Sequence, residues 1–354
     1  MATHIDEAIS GLTSLFQHVS RAFGFSRAHN FAIWLALCGP FTAFIITHLR
    51  YLDIDGYFCG KPRVAMPGEC YYFSRGVGRI GLFLHLATIF PAGSLAVLQF
   101  TPAIRKRSIS LHRFIGYVVL VLVVLSSLGV LVISRHHFGG GLVPQTVSGA
   151  ATSMFLVSLA FALYYVKRLR IDLHRAWMMR AWAVATHVIT MRLIAYLMVV
   201  FTHSPLNHYY DYRPCAVIDY IFKHDSDLVI SMYPDCADFY SGVSPDQRVL
   251  ISADIMSGRP DKVAAGLNVT FGAAAWLGLL VHCIVIETYL QLTAGEAERL
   301  RRLSYKRQLE AGMVKEGDCT CAAIVSVEKG GLMGRGEGWG CRQHDKVLGV
   351  SDDE

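Results

Sequence analysis

The sequence predicts an all-α polytopic membrane protein, a bundle of about six transmembrane helices with a disulfide-bearing outer cap. Three observations carry this. The 354 residues are 53% hydrophobic and only 17% charged, with a mean hydropathy of +0.39, too apolar for an ordinary soluble domain. Six apolar runs each reach the ~20 residues that a helical span requires. Two long polar stretches between them hold four of the nine cysteines. The net charge of +6 clusters at the ends of the apolar runs. Membrane proteins fix their orientation in this way, and no nucleic-acid partner is expected.

Residues 1–29 read as a cytosolic amphipathic segment. Ile5, Ile9, Leu12, Phe16, Val19 and Phe23 alternate spacings of four and three, one stripe of a helix that either lies on the membrane or packs against the bundle. No short apolar core with a small-residue cleavage site opens the chain, so a removed signal peptide is not expected.

The transmembrane domain is expected over 30–290, with spans at 31–49, 80–100, 114–134, 148–166, 177–201 and 264–290. Gly39-Pro40 in the first and Pro91 in the second predict kinks, because proline cannot donate the backbone bond and crowds the preceding turn. The loop after the second span carries Arg105, Lys106, Arg107 and Arg113, and the loop after the fourth carries Lys167, Arg168, Arg170 and Arg175, whereas the loop after the third has only Arg135. The first two therefore face the cytosol with both termini. The first outer loop, with Arg50, Lys61, Arg63, Arg75 and Arg79, runs against that trend.

The two outer loops hold Cys59 and Cys70, and Cys215 and Cys236. An even number on the oxidising side predicts disulfides; three pairings exist, of which pairing within each loop is the shortest-range. Asn268-Val269-Thr270 fits the glycosylation sequon, making Asn268 a candidate near the outer end of the last span. The outer loop 202–262 is rich in aspartate and tyrosine without the spacing of a calcium site, and reads as a solvated cap. After the last span, 291–354 reads as a basic helix, near 296–309 and suited to anionic lipid, followed by a glycine-rich disordered tail containing Cys319 and Cys321.

Chemistry concentrates in the spans, where ionisable groups are costly. His85 lies in the second span, His112 at the start of the third, and His174 and His187 in the fifth. At ~1.5 Å rise per residue, His85 stands ~22 Å from Phe100 and His187 ~20 Å from His174, giving two levels of two imidazoles each. Two b-type haems would need such ligands, with Arg180, Arg192, Arg113 or Arg175 neutralising propionates. Against this, His187 points ~220° round the helix from His174, so a straight helix presents them to different neighbours unless it starts late or bulges. His282, followed by Glu287, is a rival for the inner level.

The runs Leu111-His112-Arg113-Phe114-Ile115-Gly116-Tyr117 and His174-Arg175-Ala176-Trp177-Met178-Met179-Arg180, the latter closing with Thr190-Met191-Arg192, resemble a family of predicted membrane proteins catalogued as domain of unknown function 2306. The resemblance covers roughly 85–200, and the long cysteine-bearing loops resemble fungal members. It implies His85, His112, His174, Arg180 and Arg192 as site residues. His187 departs from the pattern, and Tyr117 stands where many members have arginine. A single cytosolic-side haem on His112 and His174, whose imidazoles would ligate the iron, therefore stands beside the two-haem reading.

The family name implies no activity. The expected function is a b-type haem electron carrier or membrane oxidoreductase, with haem b as cofactor, the lipid bilayer as surroundings, and an electron donor or small-molecule substrate as partner. The alternatives are a transporter or proton-coupled carrier lined by Arg180, His187, Arg192 and Glu287, or an accessory membrane protein without catalysis. The expected location is an endomembrane or the plasma membrane.

Overall fold

The computed structural model of the chain describes residues 2–60, 64–202 and 209–315. Cys319, Cys321 and the glycine-rich tail lie outside the described residues. The helices follow in the order α1 (Ala2–Ala22), α2 (Ala28–His48), a short α3 (Glu69–Phe73), α4 (Gly76–Gln99), α5 (Pro102–Arg107), α6 (Ile109–Ile133), α7 (Leu142–Lys167) and α8 (Ile171–Thr202). The cap then supplies α9 (Cys215–Ile221), α10 (Ser226–Met232) and α11 (Ala237–Tyr240), followed by α12 (Pro260–Leu292) and α13 (Ala294–Glu310).

Six helical segments are long and apolar enough to cross a membrane: Ala28–Leu52, Gly76–Gln99, Ile109–Ile133, Leu142–Lys167, Ile171–Val200 and Pro260–Leu292. They correspond one to one with the six apolar runs. Their outward faces stay apolar without protein cover, as at Leu131, Val121 and Tyr196, which suits lipid and not water. Both α2 and α4 continue as helix through Pro40 and Pro91.

Several spans begin earlier than hydropathy alone places them, because polar residues at the ends are held inside the helix by local partners. Ser108 caps α6 by accepting the Leu111 N–H at 3.2 Å. At the start of α8, Asp172 is paired with Arg170 at 3.1 Å and receives the Ser304 hydroxyl at 2.9 Å, so the first turn carries its charge without unravelling.

The chain forms two compact units, Met1–Val157 with Ala181–Val285, and Ser158–Arg180 with Ile286–Glu354. In the first, small residues let helices approach closely. A Cβ on Gly129 of α6 would lie 2.7 Å from both the Gly81 carbonyl oxygen and the His85 nitrogen of α4. Phe16 of α1 and Phe23, just past its end, lie 5.1 Å from Phe31 and 5.3 Å from Trp34 at the start of α2, so this end of the N-terminal stripe packs on the first span while Leu12 and Leu15 remain exposed.

The cap is built on two disulfides, Cys59–Cys70 and Cys215–Cys236, the within-loop pairings. Around the first, Ile54, Phe58 and Phe73 join Ile45, Leu82, Leu86 and Phe90 in one core. Around the second, Ile218, Val229, Val249 and Ile251 pack together. The all-helical expectation misses one element here, an antiparallel pair of strands, β1 (Tyr210–Pro214) and β2 (Arg248–Ser252), in the register Tyr212↔Leu250. Val249 and Ile251 are buried and Leu250 exposed, the period-two alternation of a half-buried strand.

In the second unit, α13 is basic but self-paired. Glu296 holds Arg299 at 2.7 Å, while Glu298 lies 2.7 Å from Arg301 and 3.1 Å from Arg302. Gln308 donates to the Arg168 carbonyl at 2.9 Å.

Candidate functional site

The intramembrane histidines are distinguished by what each ring nitrogen does. His187 Nδ1 lies 2.6 Å from the Val184 carbonyl, and in the second unit His174 Nδ1 lies 2.9 Å from the Ala162 carbonyl. A carbonyl only accepts, so in both rings Nδ1 carries the hydrogen and the lone pair resides on Nε2. His85 Nδ1 meets the Ser126 hydroxyl at 2.8 Å; a hydroxyl can donate or accept, so that tautomer is not fixed by the contact.

His282 behaves differently. Its Nδ1 donates to the Ala183 carbonyl at 2.8 Å and its Nε2 accepts the Thr190 hydroxyl at 2.8 Å. Both nitrogens are spent on binding α12 to α8, which makes it a packing residue and removes the rival ligand. His112 sits at a corner where Gln99 donates to its backbone carbonyl at 3.0 Å. His112 and His174 lie in different units.

The arginines divide the same way. In the second unit Arg180 makes a bidentate pair with Glu287, at 2.6 and 2.8 Å, and stacks over Trp177 at 4.8 Å. Glu287 thus occupies the guanidinium face that a propionate would use. Arg192 in the first unit has no such partner. Its Nη1 bonds His48 Nε2 and its guanidinium lies 4.7 Å above the Phe44 ring. Among the described residues no carboxylate lies within ion-pair distance of it.

A reconciling bulge or late start is not found in α8, which runs as continuous α-helix from Ile171, before His174. Residues thirteen apart on such a helix point ~220° apart.

At the cap a second polar cluster appears. Glu69, 7% exposed, accepts the Phe138 N–H at 3.1 Å. Burial pushes its carboxyl above the ordinary carboxylate range, against the lowering influence of the Phe138 N–H, of Arg213 and of Arg192. Asp211 bridges Arg213 at 3.0 Å and the Asn268 amide nitrogen at 2.7 Å. Asn268 is itself buried; the nitrogen that glycosylation would modify is hydrogen-bonded inside the fold. Next to it, His137 bridges the Ser134 carbonyl at 3.0 Å and the Ser148 hydroxyl at 3.2 Å, and burial holds it below the usual imidazole range.

Sequence reasoning missed His48, Glu69 and Arg213. His48 closes the first span, and Glu69 directly precedes a disulfide cysteine. A carboxylate fixed beside a cross-link was the available signal. Among the described residues no group of three or more metal-ligating side chains gathers.

Residues 82–214 match the model of a family described as "Predicted membrane protein (DUF2306)". A protein of Aspergillus versicolor named Ava biosynthesis cluster protein G is 25% identical over 320 residues, covering 77% of this chain and 92% of that protein. No solved structure matches. Over residues 82–214 the chain is therefore similar to the predicted membrane protein family DUF2306, and both His-Arg runs lie within that match.

Proposed function

We propose that the chain is a b-type haem membrane protein, an electron carrier or oxidoreductase whose iron ligands are drawn from His85, His112, His174 and His187. The supporting observation is the tautomer of His174 and His187. Each commits Nδ1–H to a backbone carbonyl and keeps its lone pair on Nε2, the arrangement in which a second hydrogen bond orients a ligating imidazole. The donor chemistry fits iron. Haem b, when bound, supplies a one-electron carrier; the chain's own residues orient the imidazoles and hold the surrounding charge. Arg180 is already neutralised by Glu287, so Arg192 is the better propionate partner.

The basic residues of α5, Arg105, Lys106 and Arg107, support the orientation in which both termini are cytosolic. Protease protection of tagged termini in sealed vesicles tests it: both tags cleaved from the cytosolic side agree, and one protected tag contradicts.

A second reading, an accessory protein of a biosynthesis cluster without chemistry of its own, is favoured by the name of the Aspergillus relative. Haem-supplemented expression followed by pyridine haemochromogen assay of the purified chain separates the two. One or two haems per chain supports the first; a stoichiometry near zero leaves the second.

A further inference from the structure

Arg192 is the unusual charge of the first unit. It lies within the span Ile171–Val200, yet its side chain is exposed and has no carboxylate within ion-pair distance among the described residues. A guanidinium offers five N–H donors. One goes to His48 Nε2, which must accept; His48 Nδ1 accordingly carries the ring hydrogen and donates to the Phe44 carbonyl at 2.7 Å. His48 is thus neutral in this arrangement and does not cancel the charge.

The surroundings form an aromatic wall. The Phe44 ring stacks on His48 at 4.1 Å, and Tyr51 meets the His48 edge at 4.8 Å. Tyr51 is in turn backed by Phe58 at 5.4 Å, beside the first disulfide. The wall fixes one edge of the guanidinium and covers one face, while Glu69 acts on its charge from beyond ion-pair distance. A cation so held inside a span is expensive unless an anion or water meets it.

We propose that Arg192, positioned by Phe44 and His48 and flanked by Tyr51, is a binding site for a single anionic group, phosphate or carboxylate, carried on a lipophilic body within the membrane. The ligand class is an amphipathic acid. Two sources share that chemistry, a phospholipid headgroup and a lipophilic carboxylic acid. The site shares Arg192 with the haem reading, where it would meet a propionate, but none of its four residues is a proposed iron ligand, and its test is made without added haem.

The test uses the full-length chain, purified without added haem in a neutral detergent, with melting followed by intrinsic fluorescence. Phosphatidic acid is compared with diacylglycerol, and oleic acid with methyl oleate, at matched mole fraction in the detergent. The expected result is a saturable rise in melting temperature of about 3 °C or more with one acid and not with its neutral counterpart. Whichever acid acts identifies the source. Arg192→Gln should abolish the rise, and His48→Leu should weaken the apparent affinity by about fivefold or more. Equal rises with acid and neutral counterpart, no rise with either acid, or a wild-type response from Arg192→Gln would overturn the proposal. If Arg192→Gln does not fold, the acid-against-neutral comparison and His48→Leu decide it.

Discussion

Glu69 and Phe138 are joined by a buried hydrogen bond, carboxylate to backbone N–H at 3.1 Å, across 69 residues of chain. The bond ties the helix that follows the first disulfide loop to the turn between α6 and α7, where Phe138 and Gly139 adopt positive φ values of 44° and 85°. Gly140 follows at 68°; glycine takes this region freely, so Phe138 is the residue whose conformation needs an external anchor, and Glu69 provides it.

Glu69→Ala should lower stability by about 1–3 kcal/mol by leaving the Phe138 N–H without its acceptor, and Glu69→Gln, which keeps an acceptor oxygen, should cost less. The pH dependence follows from the raised carboxyl. The folded state favours the protonated acid, so this group's contribution is fully present below the ordinary glutamate range and is lost as pH rises through the raised value. Melting temperatures across pH should show that loss in the wild type and not in Glu69→Gln.

Peptide mapping under non-reducing conditions should find Cys59 linked to Cys70 and Cys215 to Cys236, while Cys38 and Cys283 accept alkylating reagent after unfolding without reductant. Replacing Cys215 and Cys236 together by alanine should cost about 2–4 kcal/mol, because they close 21 residues of the cap around its buried core. A mixed pairing between the two loops would contradict the cap described above.

Gly129→Ala should destabilise by about 1–3 kcal/mol, since the added carbon would meet backbone atoms of Gly81 and His85 at 2.7 Å and backbone cannot step aside. Gly116→Ala, on the same helix with nothing within 4 Å, should be neutral or slightly stabilising, as alanine favours helix. Parallel thermal melts of the two variants in detergent check this; equal effects would show that α4 and α6 do not pack as described.

The Arg180 and Glu287 side chains are 28% and 50% exposed, but both lie within spans, where that exposure is to lipid or detergent and not to water, so their coupling should exceed the ~1 kcal/mol of a water-exposed pair. A double-mutant cycle with Arg180→Gln and Glu287→Gln measures it. A value below ~1 kcal/mol would mean that water screens the pair.

What could be read from the sequence were features of short range. Run length set the six spans, and proximity favoured the two disulfides. Helix ends were misplaced where a side chain satisfies a charged first turn, as Ser304 does for Asp172 from 132 residues away. The strand pair was hidden because β1, Tyr-Asp-Tyr-Arg-Pro, is short and turns its charged Asp211 and Arg213 inward with Tyr210 and Tyr212 exposed, and only its pairing with Val249 and Ile251 identifies it. Among the site residues, Arg180 and Arg192 looked equivalent in sequence. Glu287 and His48, 107 and 144 residues distant respectively, separate one that is neutralised from one that is not. No periodicity encodes such partners.

The measurement that tests the central claim most directly is the dithionite-reduced minus oxidised spectrum of the chain purified after haem-supplemented expression, recorded beside His85→Ala, His112→Ala, His174→Ala and His187→Ala. The haem reading predicts a Soret band and a sharp α band in the wild type, lost or shifted in those variants that remove an iron ligand. A wild-type protein that is folded, monodisperse and without either band would contradict it.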